Sequence, residues 1–164
     1  MKFEELREVL IKYLFVSDKI NNSILDIGCG RGYGSYCISP FHLEVLGIDP
    51  IVENIRWAKE HLKNENLSFS CLNYNEVHKL DVFDAVILLD TDKKFSDNCI
   101  FFKYLYYLLD KCVRYGGKLI FDYSNLNEQE VKNKFMTQMP QNFPEHNIMI
   151  VNKDFSNKLR GIRL

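Results

Sequence analysis

The sequence of 164 residues has almost no excess of charge. It carries 21 Lys and Arg against 22 Asp and Glu, a net charge of −1. Because a strong field of one sign draws proteins to nucleic acid, this balance disfavours such a partner without excluding a local basic patch. The apolar runs are far shorter than the roughly 20 residues that span a bilayer, so no membrane association is predicted.

Cysteine pairs of the kind that bind metals or form redox motifs are also missing. The five cysteines are odd in number, and none is spaced as Cys-x-x-Cys. No set of His, Cys and acidic residues has metal-ligand spacing, so no metal is predicted. The stretch Met1–Glu8 carries acids and lacks a signal-peptide apolar region. These features predict a cytoplasmic protein with reduced thiols.

What is present indicates one globular domain over residues 1–164, with alternating strands and helices. Such alternation predicts an α/β fold with a mostly parallel sheet and helices on both faces. A short pair of strands at the end predicts an antiparallel last strand. The predicted helices are Phe3–Phe15, a short helix ending near Pro40, Pro50–Leu62, Asn98–Tyr115 (stopped by Gly116-Gly117) and Asn127–Met136. The predicted strands are Ser23–Ile27, Leu43–Ile48, Leu67–Leu72, Phe83–Leu89, Lys118–Tyr123, Ile148–Asn152 and Lys158–Leu164.

The most informative segment is a glycine-rich loop after the first strand. It reads Ile24-Leu-Asp-Ile-Gly-Cys-Gly-Arg-Gly-Tyr-Gly34, and Leu46-Gly-Ile-Asp-Pro50 follows at the second strand. Glycines let a backbone turn sharply and approach a ligand closely. An acid about 20 residues on, here Asp49, is placed to accept the hydroxyls of a ribose. The pattern therefore predicts a ribose-bearing cofactor.

The spacing of the glycines bears on which cofactor this is. A nicotinamide fingerprint, Gly-x-Gly-x-x-Gly from Gly28, places its last glycine where Tyr33 stands. Asp26 precedes the loop, near the place where the pyrophosphate of a dinucleotide would pass. Two negative charges so close together are unfavourable. The same carboxylate suits a ligand with an ammonium and a sulfonium group. This argument favours S-adenosylmethionine over a nicotinamide dinucleotide.

With these motifs, and with Phe83-Asp-Ala-Val-Ile-Leu-Leu89 and Leu108–Phe121, the sequence resembles the class I S-adenosylmethionine-dependent methyltransferases. The resemblance covers nearly the whole chain. It implies a Rossmann-like doubly wound sheet of about seven strands, with the last strand antiparallel. It also implies methyl transfer with S-adenosylmethionine as cofactor.

The resemblance further implies a role for each residue of the motifs. Asp26 lies by the methionine end of the cofactor, Gly28 and Gly30 let the backbone pass it, and Asp49 holds the ribose hydroxyls.

Further residues complete this predicted set. Pro50 and Ile51 lie against the adenine, as does the segment of Asn73 and Tyr74, where an amide replaces the usual acid. The segment that starts at Leu89 faces the methyl group.

Catalysis requires alignment first, and a general base only when the acceptor is protonated. The candidates at the carboxyl ends of the strands are Asp90, Asp92, Asp122 and Tyr123, of which Asp90 ranks first by position.

The sequence leaves three hypotheses for the molecule that accepts the methyl group. A small molecule is the first hypothesis, because the chain shows no Asn-Pro-Pro-Tyr-like motif after strand four and no separate RNA-binding region. An RNA or protein methyltransferase with a partner is the second, and a non-catalytic cofactor-binding subunit is the third. A second subunit, in a homodimer or a complex, would complete a pocket left open.

Overall fold

The computed structural model of the protein describes residues 3–89, 98–122, 133, 141–143 and 148–152. Its helices are α1 (Phe3–Ser17), α2 (Tyr33–Ile38), α3 (Val52–His61) and α4 (Asn98–Lys111). Its strands are β1 (Ser23–Ile27), β2 (Glu44–Asp49), β3 (Leu67–Cys71), β4 (Phe83–Leu88), β5 (Val113–Asp122), β6 (Gln141–Phe143) and β7 (Ile148–Asn152). Short 3₁₀ helices span Ser39–Phe41 and Tyr74–Lys79.

The strands form one sheet of seven in the order β3-β2-β1-β4-β5-β7-β6. The first five pair in parallel, and β7 is antiparallel to both β5 and β6. The predicted α/β class and the antiparallel last strand are therefore confirmed. The strand β6 was not predicted, because three residues are too few to show a periodicity. The strand predicted at Lys158–Leu164 lies outside the described residues, as does most of the helix predicted at Asn127–Met136.

Helices cover both faces of the sheet, and successive apolar side chains of β1 pack into the two cores on either side. Ile24 joins a core with Tyr13 and Val16 of α1. Its neighbour Leu25 joins the other core, with Leu105 and other residues of α4. Because successive side chains of a strand point to opposite faces, α1 and α4 lie on opposite sides of the sheet. This confirms the doubly wound arrangement.

The end of α4 differs from the prediction. The helix ends at Lys111 rather than Tyr115, and Val113 already pairs with Phe83. Gly116 has a φ of 79°, and the register shifts along this stretch of β5. A Cβ at Gly117 would lie 2.6 Å from the carbonyl oxygen of Asp84. The two glycines therefore form an irregularity inside β5 and do not stop the helix.

None of the helices within the described ranges is both long enough and apolar enough to cross a membrane.

Candidate functional site

A cleft of about 490 Å³ opens beyond the carboxyl ends of β1 and β4. The strand order reverses here, since β1 lies between β2 and β4, and ligands of α/β sheets bind at such switch points. Four segments supply the walls: α1, the loop from β1 with the start of α2, the first turn of α3, and the residue that follows β4. The lining residues are Leu6, Val9, Tyr13, Gly28, Cys29, Gly30, Arg31, Tyr33, Gly34, Asn54 and Leu89.

The glycine-rich loop forms the floor of this cleft. The amides of Gly28 and Cys29 both donate to the carbonyl oxygen of Ile48, at 2.8 and 3.0 Å, which ties the loop to β2. Gly30 has a φ of 56°, and a Cβ there would meet no atom within 4 Å. The left-handed backbone, rather than crowding, is thus what favours glycine at this position. The open space beside Gly30 is where a ligand can approach the main chain.

Asp26 lies fully buried behind the wall of the cleft. The Tyr13 hydroxyl is 2.8 and 3.0 Å from its two carboxylate oxygens, and the Ser35 hydroxyl donates to one of them. The Tyr13 ring packs against Gly34, where a Cβ would collide with it. A buried carboxylate needs such donors, because desolvation without them is very costly. Asp26 is therefore held by side chains of two helices, α1 and α2.

Asp49 is equally buried at the end of β2 but has different partners. It accepts hydrogen bonds from the Gly30 amide at 3.1 Å, the Ile51 amide at 2.9 Å and the Asn54 side chain at 3.2 Å. Both Gly30 and Asn54 line the cleft. The carboxylate thus fixes the glycine-rich loop against the start of α3, next to the cavity.

The residues predicted to contact adenine are not among those that line the cleft. Ile51 is exposed and Pro50 half-buried. Asn73 caps the 3₁₀ helix Tyr74–Lys79, in a capping box with Glu76. Hydrogen bonds from Lys79 and then Asn73 lower the pKa of Glu76.

Tyr74 packs in an aromatic group on the face of the sheet that α4 covers. Its ring centroid is 6.1 Å from that of Tyr104, and the Tyr104 hydroxyl donates to the Tyr74 carbonyl at 3.1 Å. Burial first, and then the neighbours Cys112, Tyr74 and Tyr107, raise the pKa of Tyr104, which keeps its hydroxyl a donor. The described contacts therefore give Tyr74 a packing role.

Of the predicted catalytic candidates, only Asp122 lies within the described residues; Asp90, Asp92 and Tyr123 lie outside them. Asp122 is 1% exposed at the end of β5, and the Lys12 ammonium is 3.1 Å from its carboxylate. A lysine of α1 thus neutralises this acid. Among the residues predicted to bind the cofactor, Leu89 is buried and lines the cleft.

Sequence reasoning missed the partners of the predicted acids. Tyr13 and Lys12 stand in α1, where the helical pattern marked Tyr13 only as an apolar position. Ser35 and Asn54 follow the ends of the two predicted strands by eight and six residues. A polar residue near the start of the helix that follows a strand-end acid is a signal that could have identified Ser35 and Asn54. No local signal identifies the α1 residues, since their contacts join distant parts of the chain.

The described residues fit a cofactor with a ribose and a zwitterionic tail. The cavity lies within the range of roughly 300–1,000 Å³ that is usual for small-molecule sites. Gly30 leaves the main chain open to it, and two buried carboxylates stand directly behind its lining residues.

Comparison with known proteins gives the family. A family model described as a methyltransferase domain matches residues 18–160. The chain belongs to the methyltransferase domain family. The resemblance to class I S-adenosylmethionine-dependent methyltransferases is thereby confirmed, and S-adenosylmethionine is the cofactor of this class.

The individual methyltransferases that match are only distantly similar to this chain and align with part of it. The chain is 32% identical over 82 residues to a ubiquinone biosynthesis O-methyltransferase of Bradyrhizobium diazoefficiens, covering 49% of this chain and 32% of that protein. It is 27% identical over 96 residues to a malonyl-[acyl-carrier protein] O-methyltransferase of Acetivibrio thermocellus, covering 57% and 34%. It thus spans about a third of the length of these relatives.

Solved methyltransferase structures share the fold. The N-methyltransferase NodS of Bradyrhizobium japonicum, in complex with S-adenosyl-L-homocysteine, superimposes with a TM-score of 0.67 at 15% identity, over 89% of this chain and 85% of that one.

Proposed function

We propose that the protein transfers the methyl group of S-adenosylmethionine to a small-molecule acceptor in the cleft beside α1. One observation carries this proposal. Leu6, Val9 and Tyr13 of α1 close one side of the cleft, and the enclosed cavity is large enough for a small molecule. The relatives named O-methyltransferases support an oxygen atom as the acceptor.

The bound cofactor supplies an activated methyl group on a sulfonium. The chain's own residues hold and align the reactants. The Asp49 carboxylate accepts hydrogen bonds from the ribose hydroxyls. Gly28 and Gly30 let the main chain pass close to the cofactor, and Asp26 balances the positive charge of its methionine end. Alignment of this kind is worth about 7–11 kcal/mol of the barrier.

Exclusion of water is the second task of the site. Leu6 and Val9 on α1 and Leu89 after β4 all line the cavity, so apolar side chains would bound the transferring methyl group. Such a boundary strengthens every electrostatic contact within the site. An acceptor hydroxyl would lose its proton to Asp90, which stays the predicted general base.

Recognition of adenine is proposed for Pro50, Ile51 and Asn73, which do not line the cleft, whereas Tyr74 packs against Tyr104. Asn73 Nδ2 donates to Glu76 at 3.2 Å. In the capping box the Asn73 side chain also accepts from the Glu76 backbone amide, so its oxygen would use its second lone pair to accept from the adenine amino group. Replacement of Asn73 by Leu should therefore weaken adenine binding.

The proposal is tested by incubating the protein with methyl-labelled S-adenosylmethionine and, separately, a small-metabolite extract, total RNA and a protein extract. Label is expected in the metabolite fraction, and Asp49→Ala should abolish it. Label only in RNA or protein would contradict the small-molecule acceptor. Cofactor binding without label in any fraction would favour a non-catalytic subunit.

A further inference from the structure

The strand β3 forms one edge of the sheet, since among the described strands only β2 pairs with it. The strand at the other edge, β6, has three residues, whereas β3 pairs with β2 in an unbroken register from Leu67 to Cys71. Sheet edges are commonly blunted by charged residues, proline, bulges or a very short strand. The strand β3 contains no charged residue and no proline. Its outer edge is therefore suited to accept a further strand.

The main-chain groups of β3 alternate in direction. The Asn66 carbonyl, just before the strand, accepts from the Val45 amide at 2.8 Å and so faces β2. Because this direction alternates from one residue to the next, the N–H and C=O groups of Phe69 and Cys71 point away from β2. An extended chain laid along this edge could pair with both residues.

A cavity of about 510 Å³ lies beside the same edge, on the side that α3 covers. Leu62, Leu67 and Phe69 form its apolar wall, and Lys59 and Lys63 supply its charge. Among the described residues, none lines both this cavity and the cofactor cleft. The cavity is thus separate from the groups assigned to the cofactor. Since side chains alternate along a strand, every second side chain of an added strand would enter it.

The charge of this cavity is positive. Both lysines are exposed, and within the described ranges neither forms an ion pair. Glu60 and Glu65 lie close to them in sequence but do not line the cavity. A glutamate side chain complements both features of the site, because its methylene groups can pack on Leu62 while its carboxylate faces Lys59 and Lys63.

We propose that β3 docks an extended acidic segment of a partner protein, which adds a strand to the sheet and directs carboxylates to Lys59 and Lys63. In this mode of recognition the main-chain hydrogen bonds provide affinity, and alternate side chains provide selectivity. A second copy of this chain fits the edge poorly. Antiparallel pairing of two β3 strands would bring the lysines of both copies to one face of the joined sheet, where like charges repel.

The charge of the segment is tested with two capped peptides, one alternating glutamate with threonine and one alternating glutamine with threonine. Each is titrated at low salt into isotopically labelled protein, and the amide signals are followed by NMR. The glutamate peptide should shift the signals of Phe69 and Cys71 most and bind at least about fivefold more tightly, as expected for two exposed ion pairs. The double variant Lys59→Gln with Lys63→Gln should lose this preference.

The matched control is the double variant Lys103→Gln with Lys111→Gln, which removes two exposed lysines of α4. It has the same net charge as the first double variant and should retain the preference. A loss of preference in both would assign the effect to net charge and overturn the proposal.

The pairing itself is tested with two further glutamate–threonine peptides, one N-methylated at its glutamates and the other at its threonines. Only alternate residues of a strand direct their N–H groups to a given neighbour. One pattern of methylation should therefore abolish binding, and the other should preserve it. The same effect of both patterns would contradict strand addition.

Other results would also overturn the inference. These are equal affinity for the glutamate and glutamine peptides, an unchanged preference when Lys59 and Lys63 are replaced, or no shift at Phe69 and Cys71. Signals of Phe69 and Cys71 that shift with protein concentration, without any peptide, would assign the edge to a second copy of this chain instead.

Discussion

Asp26 and Asp49 stand at the ends of neighbouring strands, both completely buried, yet the chain holds them in opposite ways. Asp49 is bound by amides of Gly30 and Ile51 and by Asn54, all within 19 residues or fewer of it. Asp26 is bound by hydroxyls on two helices, one of them the Tyr13 hydroxyl on the helix before β1. Asp49 thus depends on the local path of the main chain, and Asp26 on the packing of α1.

This difference separates two parts of the proposed site. The ribose side, around Asp49, is built from the strand–loop–helix unit itself. The methionine side, around Asp26, is complete only when α1 is in place, and α1 also carries Lys12 to the buried Asp122. A perturbation of α1 should therefore affect the two acids unequally.

The largest effect is expected from Asp49→Ala. The change removes the acceptor assigned to the ribose and leaves the Gly30 and Ile51 amides without the carboxylate. Since hydrogen bonds to a charged group are worth about 1.5–3 kcal/mol each, affinity for S-adenosylhomocysteine should fall about 100-fold. Calorimetry measures it. Glu53→Ala, which removes an exposed acid of α3, is the control, and an equal loss in both variants would refute the role of Asp49.

A smaller loss is expected from Asp26→Asn. The amide is close in shape to the carboxylate and still accepts one hydrogen bond, but it removes the charge proposed to balance the methionine end. Affinity for S-adenosylhomocysteine should fall about tenfold, or about 1.4 kcal/mol, while that for 5′-methylthioadenosine, which lacks the amino-acid tail, stays unchanged. If both ligands weaken together, Asp26 acts on the fold rather than on the tail.

The comparison is sharpened by removing one donor from each acid. Tyr13→Phe keeps the ring against Gly34 but deletes the hydroxyl that contacts both oxygens of Asp26. It should lower the free energy of unfolding by about 1–2 kcal/mol and weaken S-adenosylhomocysteine about threefold. Asn54→Ala removes one donor to Asp49, leaves the Gly30 and Ile51 amides in place, and should lower the free energy of unfolding in urea by less. A larger loss of stability in Asn54→Ala than in Tyr13→Phe would contradict the distinction between local contacts at Asp49 and long-range contacts at Asp26.

The smallest effect concerns the far end of α1, where Ser17 Oγ lies 2.8 Å from the Nε2 atom of buried His42. Burial lowers the pKa of His42, so the unfolded chain takes up its proton more readily than the folded one. The free energy of unfolding should therefore decrease as the pH falls below about 6.5, and the decrease should stop below the folded-state pKa. Urea unfolding at a series of pH values measures this. His42→Gln should flatten the dependence, and an unchanged slope would exclude His42 as its source.

The sequence predicted those parts of the molecule that short-range patterns encode. β1 was predicted at its observed bounds, and the glycine-rich loop was placed correctly because glycine spacing after an apolar strand is a local signal. The same reasoning misjudged the end of α4, since an apolar stretch through Tyr115 does not distinguish a helix from an irregular strand. Pairing of Val113 with Phe83, a contact between distant residues, decides that question.

The candidate site divides in the same way. Gly28, Gly30 and Leu89, which the motifs assign to the cofactor, line the cleft, and Asp49 contacts two of its lining residues. The partners of Asp26 and Asp122 on α1 could not be predicted, because nothing in a helical repeat specifies which strand end a tyrosine or lysine will reach.

The most direct test of the whole account is a crystal structure of the protein with S-adenosylhomocysteine. We expect the ligand in the cleft beside Gly28 and Gly30, with its ribose hydroxyls about 3 Å from the Asp49 carboxylate and its amino-acid tail on the side of Asp26 and Tyr13. A ligand bound elsewhere, or in the cleft with its ribose away from Asp49, would contradict the account.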